Sequence, residues 1–258
     1  VLIADENFNM MFAGHTPDER ERRNHQRYGV GTVNLYSWWP RHFERFNVAR
    51  EPREANRFGW VVELDPYDPG STPVKRTALG RFKHEAATCA LNRDGRVVVY
   101  LGDDETFEYL YKFVSAQRFD ASERSANRNL LDEGTLYAAR FHDDGRLEWV
   151  PLRFGSGPLT PNNDFHNQGD VLIETRRAAD LVGATRLDRP EDVEANPRDG
   201  VIYAMLTNNM SRHMDALDAA NPRAHHAVGH ILKLLPPGAP GNTVDPAADE
   251  FQWEIYLL

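Results

Sequence analysis

The chain has a single cysteine, no long apolar run and less positive than negative charge. One thiol, Cys89, excludes an intrachain disulfide, and its apolar neighbours predict a small buried side chain. No run approaches the roughly 20 apolar residues that cross a bilayer, so we expect no transmembrane helix. With 30 Lys and Arg against 39 Asp and Glu, the net charge is -9. Nucleic-acid binding needs a basic face, so the composition excludes nucleic acid as main partner and favours small ligands or cations.

Several common catalytic signatures are also absent. The chain has no G-x-S-x-G, Walker A or G-x-G-x-x-G pattern, which removes the usual nucleophile-elbow and nucleotide-binding interpretations. No H-E-x-x-H or similar zinc spacing occurs either. We therefore predict no zinc role for the histidines at the following positions: His142, His213, His225, His226 and His230.

Three Asp-Gly turns give the chain a repeat. Their glycines are Gly95, Gly145 and Gly200, at spacings of 50 and 55 residues, and each lies between strand-like runs. Asp-Gly between such runs is a strong hairpin signal. The period suits the four-stranded blade of a β-propeller. We predict one all-β propeller domain over residues 1–258, with about five blades and small helical inserts. Both ends are strand-like, and we expect a domain truncated at both ends.

Local patterns predict the individual elements. We expect strands at 1–4, 60–64, 107–114, 134–141, 171–175, 230–235 and 252–258, and a helix at 176–183 that ends at Gly183. The charged run 18–26 predicts a solvated loop or a short exposed helix, and the aromatic-rich run 36–47 predicts a packing segment that is partly helical.

The stretch around Arg189-Pro190-Glu191 has the strongest chemical signal. It leads into a strand that reaches the Asp199-Gly200 turn. In an extended segment residues i and i+2 point to the same side, so the Arg189 guanidinium and the Glu191 carboxylate are predicted to lie together. Such a pair suits a phosphate and a metal ion. A solvated ion pair is the alternative.

Three further groups of polar residues lie at strand ends. His84-Glu85 precedes one strand and Asp5-Glu6 follows another, while residues 103–105, Asp-Asp-Glu, follow a third. Carboxylate oxygens are hard donors that suit Ca²⁺. For His84-Glu85 an exposed polar pair is an equal alternative, and for residues 103–105 a solvated turn is the preferred interpretation.

Several ordered segments together resemble the PhoX family of alkaline phosphatases. The resemblance covers nearly the whole chain, and motifs of this length in this order are specific. The segments are NRFGWVVE at 56–63, KRTALGRFKHE at 75–85, DGRVVVYLGDD at 94–104, LDEGTLY at 131–137, DRPED at 188–192 and TNN at 207–209.

This resemblance implies a six-bladed propeller, export by the twin-arginine route to the periplasm or the medium, and hydrolysis of small phosphomonoesters at iron and calcium ions. We expect a monomer. Glu85 and Glu191 match the family's metal-ligating glutamates, and Arg189 matches the arginine that binds the substrate phosphate. These positions make Arg189, Glu191 and Glu85 the expected catalytic residues.

The segment from Leu2 to Phe8 resembles the family's L-x-C-E-E-N-F stretch but departs from it. Ala4 occupies the position of the iron-ligating cysteine, and Asp5 replaces the first glutamate. A thiolate is a strong iron ligand, so this departure puts the Fe³⁺ centre in doubt. Ca²⁺ remains the expected ion, with the following ligands: Glu6, Glu85, Glu191 and Asp5.

Two alternatives stay open at this point. Ala4 suits a propeller that is stabilised by calcium, has no turnover and acts as a binding or scaffold module. The R-P-x-D pattern of residues 189–192, with the following Asp-Gly turn, also resembles calcium-dependent lactone hydrolases. Metal content separates them from the phosphatase, because iron with calcium favours the phosphatase and calcium alone favours the alternatives.

Overall fold

The structure, a computed structural model, describes residues 1–31, 38–241 and 243–258. The strands are β1 (Leu2–Ile3), β2 (Val62–Glu63), β3 (Val74–Lys75), β4 (Thr88–Leu91), β5 (Arg96–Gly102), β6 (Thr106–Glu108), β7 (Leu110–Arg118), β8 (Gly134–Phe141), β9 (Arg146–Pro151), β10 (Leu187–Asp188), β11 (Pro190–Ala195), β12 (Ile202–Leu206), β13 (His230–Leu235) and β14 (Glu250–Leu257). The α-helices are α1 (Glu19–Tyr28), α2 (Gln168–Ile173) and α3 (Thr175–Val182).

Two antiparallel meanders dominate the molecule. One has the order β4-β5-β7-β8 and the other β11-β12-β13-β14, and β9 pairs with both β8 and β14. The resulting nine-stranded sheet curls so that its two end strands meet, because β11 contacts β4 and β5. A four-stranded meander is the form of a propeller blade. β1, β2 and β3 form a separate small sheet, and β6 pairs with β10.

Strand β5, in the first meander, is buried on both faces. Val98 and Tyr100 point into a core shared with the second meander, where they join residues such as Ile202. Val99 and Leu101 point the opposite way, into a core that includes side chains from all three helices. Burial on both faces explains why the sequence of β5 is a continuous apolar run instead of an alternating one.

All three Asp-Gly turns are hairpins, as predicted, but they do not mark successive blades. Gly95 and Gly200 join the first two strands of each meander, whereas Gly145 joins β8 to β9. The described strands therefore form two blade-like meanders and the smaller sheets, and the predicted count of about five blades does not match them. A turn motif reports a hairpin and carries no information about which pair of strands it joins.

Two local predictions need correction. Residues 171–175 form no strand, because α2 spans Gln168–Ile173 and the Asn167 side chain accepts a hydrogen bond from Asp170 N at its start. Residues 18–26 lie mostly in α1, as the helix alternative predicted, but this helix is not fully exposed, because its inner face buries Glu21, Asn24 and His25. By contrast, β8, β13 and α3 with its left-handed Gly183 lie where the sequence placed them.

The only cysteine lies in an exposed position. β4 is an edge of the large sheet, and it turns Cys89 and Leu91 to the solvent. The prediction of a buried thiol is therefore wrong, because apolar neighbours in the sequence do not show that the strand lies at the edge of the sheet. Among the described residues no helix is long and apolar enough to cross a membrane.

A buried lysine lies inside the sheet. Lys112 of β7 has no exposed surface; its Nζ donates to Ala248 O at 2.6 Å and lies 4.8 Å from the centre of the Trp149 ring and 4.7 Å from that of Phe251. Desolvation lowers the pKa of Lys112 from 10.5 to about 7. Between these two pH values the unfolded chain binds more protons than the folded one, so raising the pH stabilises the fold.

We expect Lys112→Met to remove this pH dependence. The free energy of unfolding of the parent should rise by about 2 kcal/mol more than that of the variant between pH 7 and pH 9. Urea unfolding at both pH values measures this difference, with Lys233→Met, at a partly exposed lysine paired with Glu254, as the control. If the free energy of unfolding changed equally with pH in the parent and in Lys112→Met, Lys112 would not titrate in this range.

Candidate functional site

Three carboxylates converge where three segments of the chain meet. Glu6 follows β1, Glu85 precedes β4 and Asp104 follows β5, and each offers an oxygen within 4.8 Å of the others. Glu6 and Glu85 are sequence-predicted ligands, and Asp104 belongs to the acidic turn after β5. We call these three residues the carboxylate cluster.

Backbone contacts explain how the cluster forms. Glu85 N donates to Gly102 O at 3.1 Å, and Asp104 N donates to Lys83 O at 3.0 Å, so the segment before β4 is held against the end of β5. On its other side Gly102 abuts the start of β11, where an added Cβ would lie 2.1 Å from Glu191 O. A glycine is therefore required for β5 and β11 to approach so closely.

Arg189 and Glu191 complete the site from β11. Arg189 donates to both oxygens of Asp104, at 2.9 and 2.8 Å, and Arg189 Nη2 also donates to Glu191 Oε1 at 3.3 Å. The sequence predicted that these two side chains lie together, and the structure confirms this. Arg189 lies immediately before β11 and has a positive φ of 54°. This left-handed backbone conformation sets the direction of its side chain.

The site holds more negative than positive charge. The carboxylate cluster and Glu191 face one guanidinium, that of Arg189. Burial and the neighbouring charges of Glu6, Asp104 and Glu191 raise the pKa of Glu85 to about 7, and burial followed by Asp104 raises the pKa of Glu191. Glu85 and Glu191 are thus harder to ionise beside their neighbours, and a bound cation would relieve this repulsion.

Asp5 does not join this cluster. Its side chain accepts a hydrogen bond from Gly59 N at 2.8 Å, which ties the end of β1 to the segment before β2. The structure thus brings Glu6 to the site and engages Asp5 with the backbone instead.

The acidic turn after β5 is not a solvated turn. Asp103 is fully buried and accepts from Arg176 Nε at 2.8 Å and Nη2 at 2.5 Å, and Glu105 accepts from Arg176 Nη1 at 2.8 Å. Arg176 lies in α3 and is itself fully buried. Asp103 and Glu105 therefore fasten the turn to the helical layer, and Asp104, between them, faces the carboxylate cluster.

A buried hydrogen-bond network that the sequence did not predict holds Asp188, the residue before Arg189. Asp188 accepts from Asn209 Nδ2 at 2.7 Å, from Arg212 Nε at 2.6 Å and from His226 Nε2 at 2.8 Å. The available sequence signals were the DRPED motif at 188–192, which begins with Asp188, and the Thr-Asn-Asn motif at 207–209, and neither Asp188 nor Asn209 was given a role. Because Asp188 is adjacent to Arg189, this network fixes the backbone from which the site arginine projects.

His84 and the sulfur ligand that the family pattern calls for are not part of the site. His84 is buried against Phe82, with ring centres 3.7 Å apart, and desolvation lowers its pKa to about 3, so it is a neutral packing residue. Cys89 is absent from the carboxylate cluster, and Ala4 offers no donor. The donor set at this site is therefore made of carboxylate oxygens.

Fold and site together define a β-propeller-type protein with an acidic, arginine-containing site. The family model described as alkaline phosphatase PhoX matches residues 1–258, and the chain belongs to this family. A solved structure, Pseudomonas fluorescens PhoX in complex with vanadate, a transition state analogue, is 43% identical with a TM-score of 0.91. It covers 98% of this chain, and this chain spans 45% of that one. No curated protein matches the chain.

Proposed function

We propose that the protein hydrolyses small phosphomonoesters at a calcium-dependent site. The observation that carries this proposal is the contact of Arg189 with Asp104 beside two other carboxylates. Membership of the PhoX family and the likeness to a PhoX bound to a transition state analogue support it. Family members depend on metal ions, and the carboxylate cluster is the group of this chain that suits one.

The residues that would hold Ca²⁺ are Glu6, Glu85, Asp104 and Glu191. All four offer hard oxygen donors, which Ca²⁺ prefers. Bound calcium would act as a Lewis acid on a phosphoryl oxygen. An iron centre with a thiolate ligand does not fit this donor set, because Ala4 stands at the expected cysteine and Cys89 lies outside the cluster.

Arg189 is the residue that would bind the substrate phosphate. Its Nε and Nη2 are engaged by Asp104 and Glu191, while Nη1 has no hydrogen-bond partner among the described residues. The side chain is 31% exposed. The two carboxylates thus orient the guanidinium, and its remaining N–H groups are available to an anion.

Calcium removal tests the proposal directly. Chelation should abolish hydrolysis of an aryl phosphate by the full-length protein at alkaline pH, and added Ca²⁺ should restore it. Glu85→Gln should raise the Ca²⁺ concentration required by about tenfold or more, because a neutral amide is a weaker ligand for calcium. Glu133→Gln, at an exposed glutamate outside the site, serves as the control.

The possible outcomes separate the alternatives. Calcium binding without turnover would favour the scaffold function, which Ala4 supports. Turnover that neither chelation nor Glu85→Gln affects would rule out a catalytic role for the carboxylate cluster. Lactones are the next substrates to try if calcium is bound and phosphoesters are not cleaved.

Family membership also supports proposals on the cellular location and the oligomeric state of the protein. We infer export to the periplasm or the medium, and a monomer in solution. Cell fractionation and light scattering on the full-length protein test these two points separately.

A further inference from the structure

The segment 207–229, between β12 and β13, folds back on itself as a clasp. Asn209 N donates to His226 O at 3.0 Å, and His225 N donates to Arg212 O at 2.9 Å. On the inner side of this clasp, Arg212 and His226 hold Asp188. Their chain neighbours His213 and His225 therefore lie side by side on the outer surface.

The two outer histidines are already in contact. His213 Nδ1 lies 3.1 Å from His225 Nε2, and both residues are exposed. His225 Nδ1 lies 2.9 Å from Met210 O. A carbonyl oxygen only accepts, so His225 carries its proton on Nδ1, and its Nε2 lone pair is directed at His213. The φ of His225 is 47°, in the left-handed region that few residues other than glycine adopt, and this backbone conformation places the ring beside His213.

We propose that His213 and His225 bind a borderline transition-metal ion of the Zn²⁺ class on the outside of this clasp. Two nitrogens bound to one tetrahedral Zn²⁺ at about 2.0–2.1 Å lie about 3.3 Å apart. The observed separation of 3.1 Å is close to this value. In the metal-free contact His213 Nδ1 donates to His225 Nε2, so metal binding requires the proton of His213 to move to Nε2 and both lone pairs to turn towards the ion. Metal-bound histidines commonly donate their second N–H to a backbone carbonyl, and His225 already does so through Met210 O.

The other two histidines of this region contact other groups of the protein. His226 contacts Asp188 at 2.8 Å, and His230 contacts Ala220 O at 2.7 Å. Among the described residues, no third histidine, cysteine or carboxylate forms a metal-binding group with His213 and His225. Water would complete the coordination shell, and we expect a labile site.

This site differs in chemistry from the carboxylate cluster. Imidazole suits Zn²⁺, Cu²⁺ and Ni²⁺, whereas clustered carboxylates suit Ca²⁺. The sequence analysis gave these histidines no zinc role because their spacing of 12 residues matches no motif. Only the fold of the clasp brings them together.

Electron paramagnetic resonance with Cu²⁺ as the probe tests the proposal without reference to activity. The untagged full-length protein, saturated with Ca²⁺ and given substoichiometric Cu²⁺, should show hyperfine coupling to two imidazole nitrogens. In His213→Gln and in His225→Gln this two-nitrogen signal should disappear, and the affinity for Zn²⁺ measured by calorimetry should fall by about tenfold or more. Both residues are exposed, so both variants should fold.

Two controls make the assignment specific. His166→Gln removes an exposed histidine in another region and should leave the two-nitrogen signal unchanged. Glu85→Gln changes the carboxylate cluster and should also leave it unchanged. If His213→Gln and His225→Gln bind Zn²⁺ and Cu²⁺ as the parent does, or if the parent shows coupling to one nitrogen only, the pair is a hydrogen bond between two histidines and the proposal is wrong.

Discussion

Replacing Arg189 by lysine should lower kcat/KM for a phosphomonoester by about two to three orders of magnitude while the protein stays folded. Arg189 bridges Asp104 and Glu191 and keeps further N–H groups for an anion. A lysine ammonium keeps the charge but lacks the planar fork, so it cannot hold two carboxylates and a phosphate in a fixed geometry. Steady-state kinetics at saturating Ca²⁺ measures the loss.

The matched control is Arg198→Lys, at an exposed arginine in the turn between β11 and β12. It should leave kcat/KM unchanged. If Arg189→Lys retained full activity, phosphate binding would have to be assigned to another group of the protein. A circular dichroism spectrum of each variant separates a catalytic loss from unfolding.

Burial distinguishes Arg189 from the other arginines that lie near the site. Arg176 and Arg212 have almost no exposed surface, and their donors are taken by Asp103, Asp188 and backbone carbonyls. These arginines stabilise the surroundings of the site. Arg189 alone of these three combines carboxylate contacts with a partly exposed guanidinium, which is the combination that a substrate anion needs.

Local sequence patterns predicted the elements whose signals are strong in a short window. β8 and β13 lie at the predicted residues 134–141 and 230–235 because their apolar side chains are bounded by clear turns. Helix α2 was missed, since a short apolar run does not distinguish a strand from a helix. Its N-cap, Asn167, was the available signal.

The sequence predicted only those contacts of the site that join residues close together in the chain. Arg189 and Glu191 are two residues apart, so their proximity follows from the backbone alone. Asp103 and Arg176 are 73 residues apart, and no local pattern reveals that they pair. Without knowledge of that pair, the sequence of residues 103–105 predicts a solvated turn. It does not show that Asp103 points into the protein while Asp104 points to the carboxylate cluster.

Gly102 shows how a residue without a side chain controls the site. A Cβ at this position would lie 2.1 Å from Glu191 O and 2.7 Å from Pro190 O. Both are backbone atoms, so no change of rotamer relieves the clash, and β5 and β11 would have to separate. The chain would then move Asp104, which follows β5, away from Arg189 and Glu191, which belong to the start of β11.

We therefore expect Gly102→Ala to lower the free energy of unfolding by about 1–3 kcal/mol and the proposed phosphatase activity by about a hundredfold. Its affinity for Ca²⁺ should fall as well, because the carboxylate cluster and Glu191 no longer face one ion. The control is Gly70→Ala, where an added Cβ would meet one side-chain oxygen at 3.4 Å, and it should behave as the parent. Since Gly102 has no functional group of its own, a loss confined to Gly102→Ala can arise only from the spacing of β5 and β11. Parent-like stability and calcium affinity in this variant would contradict the close approach of the two strands.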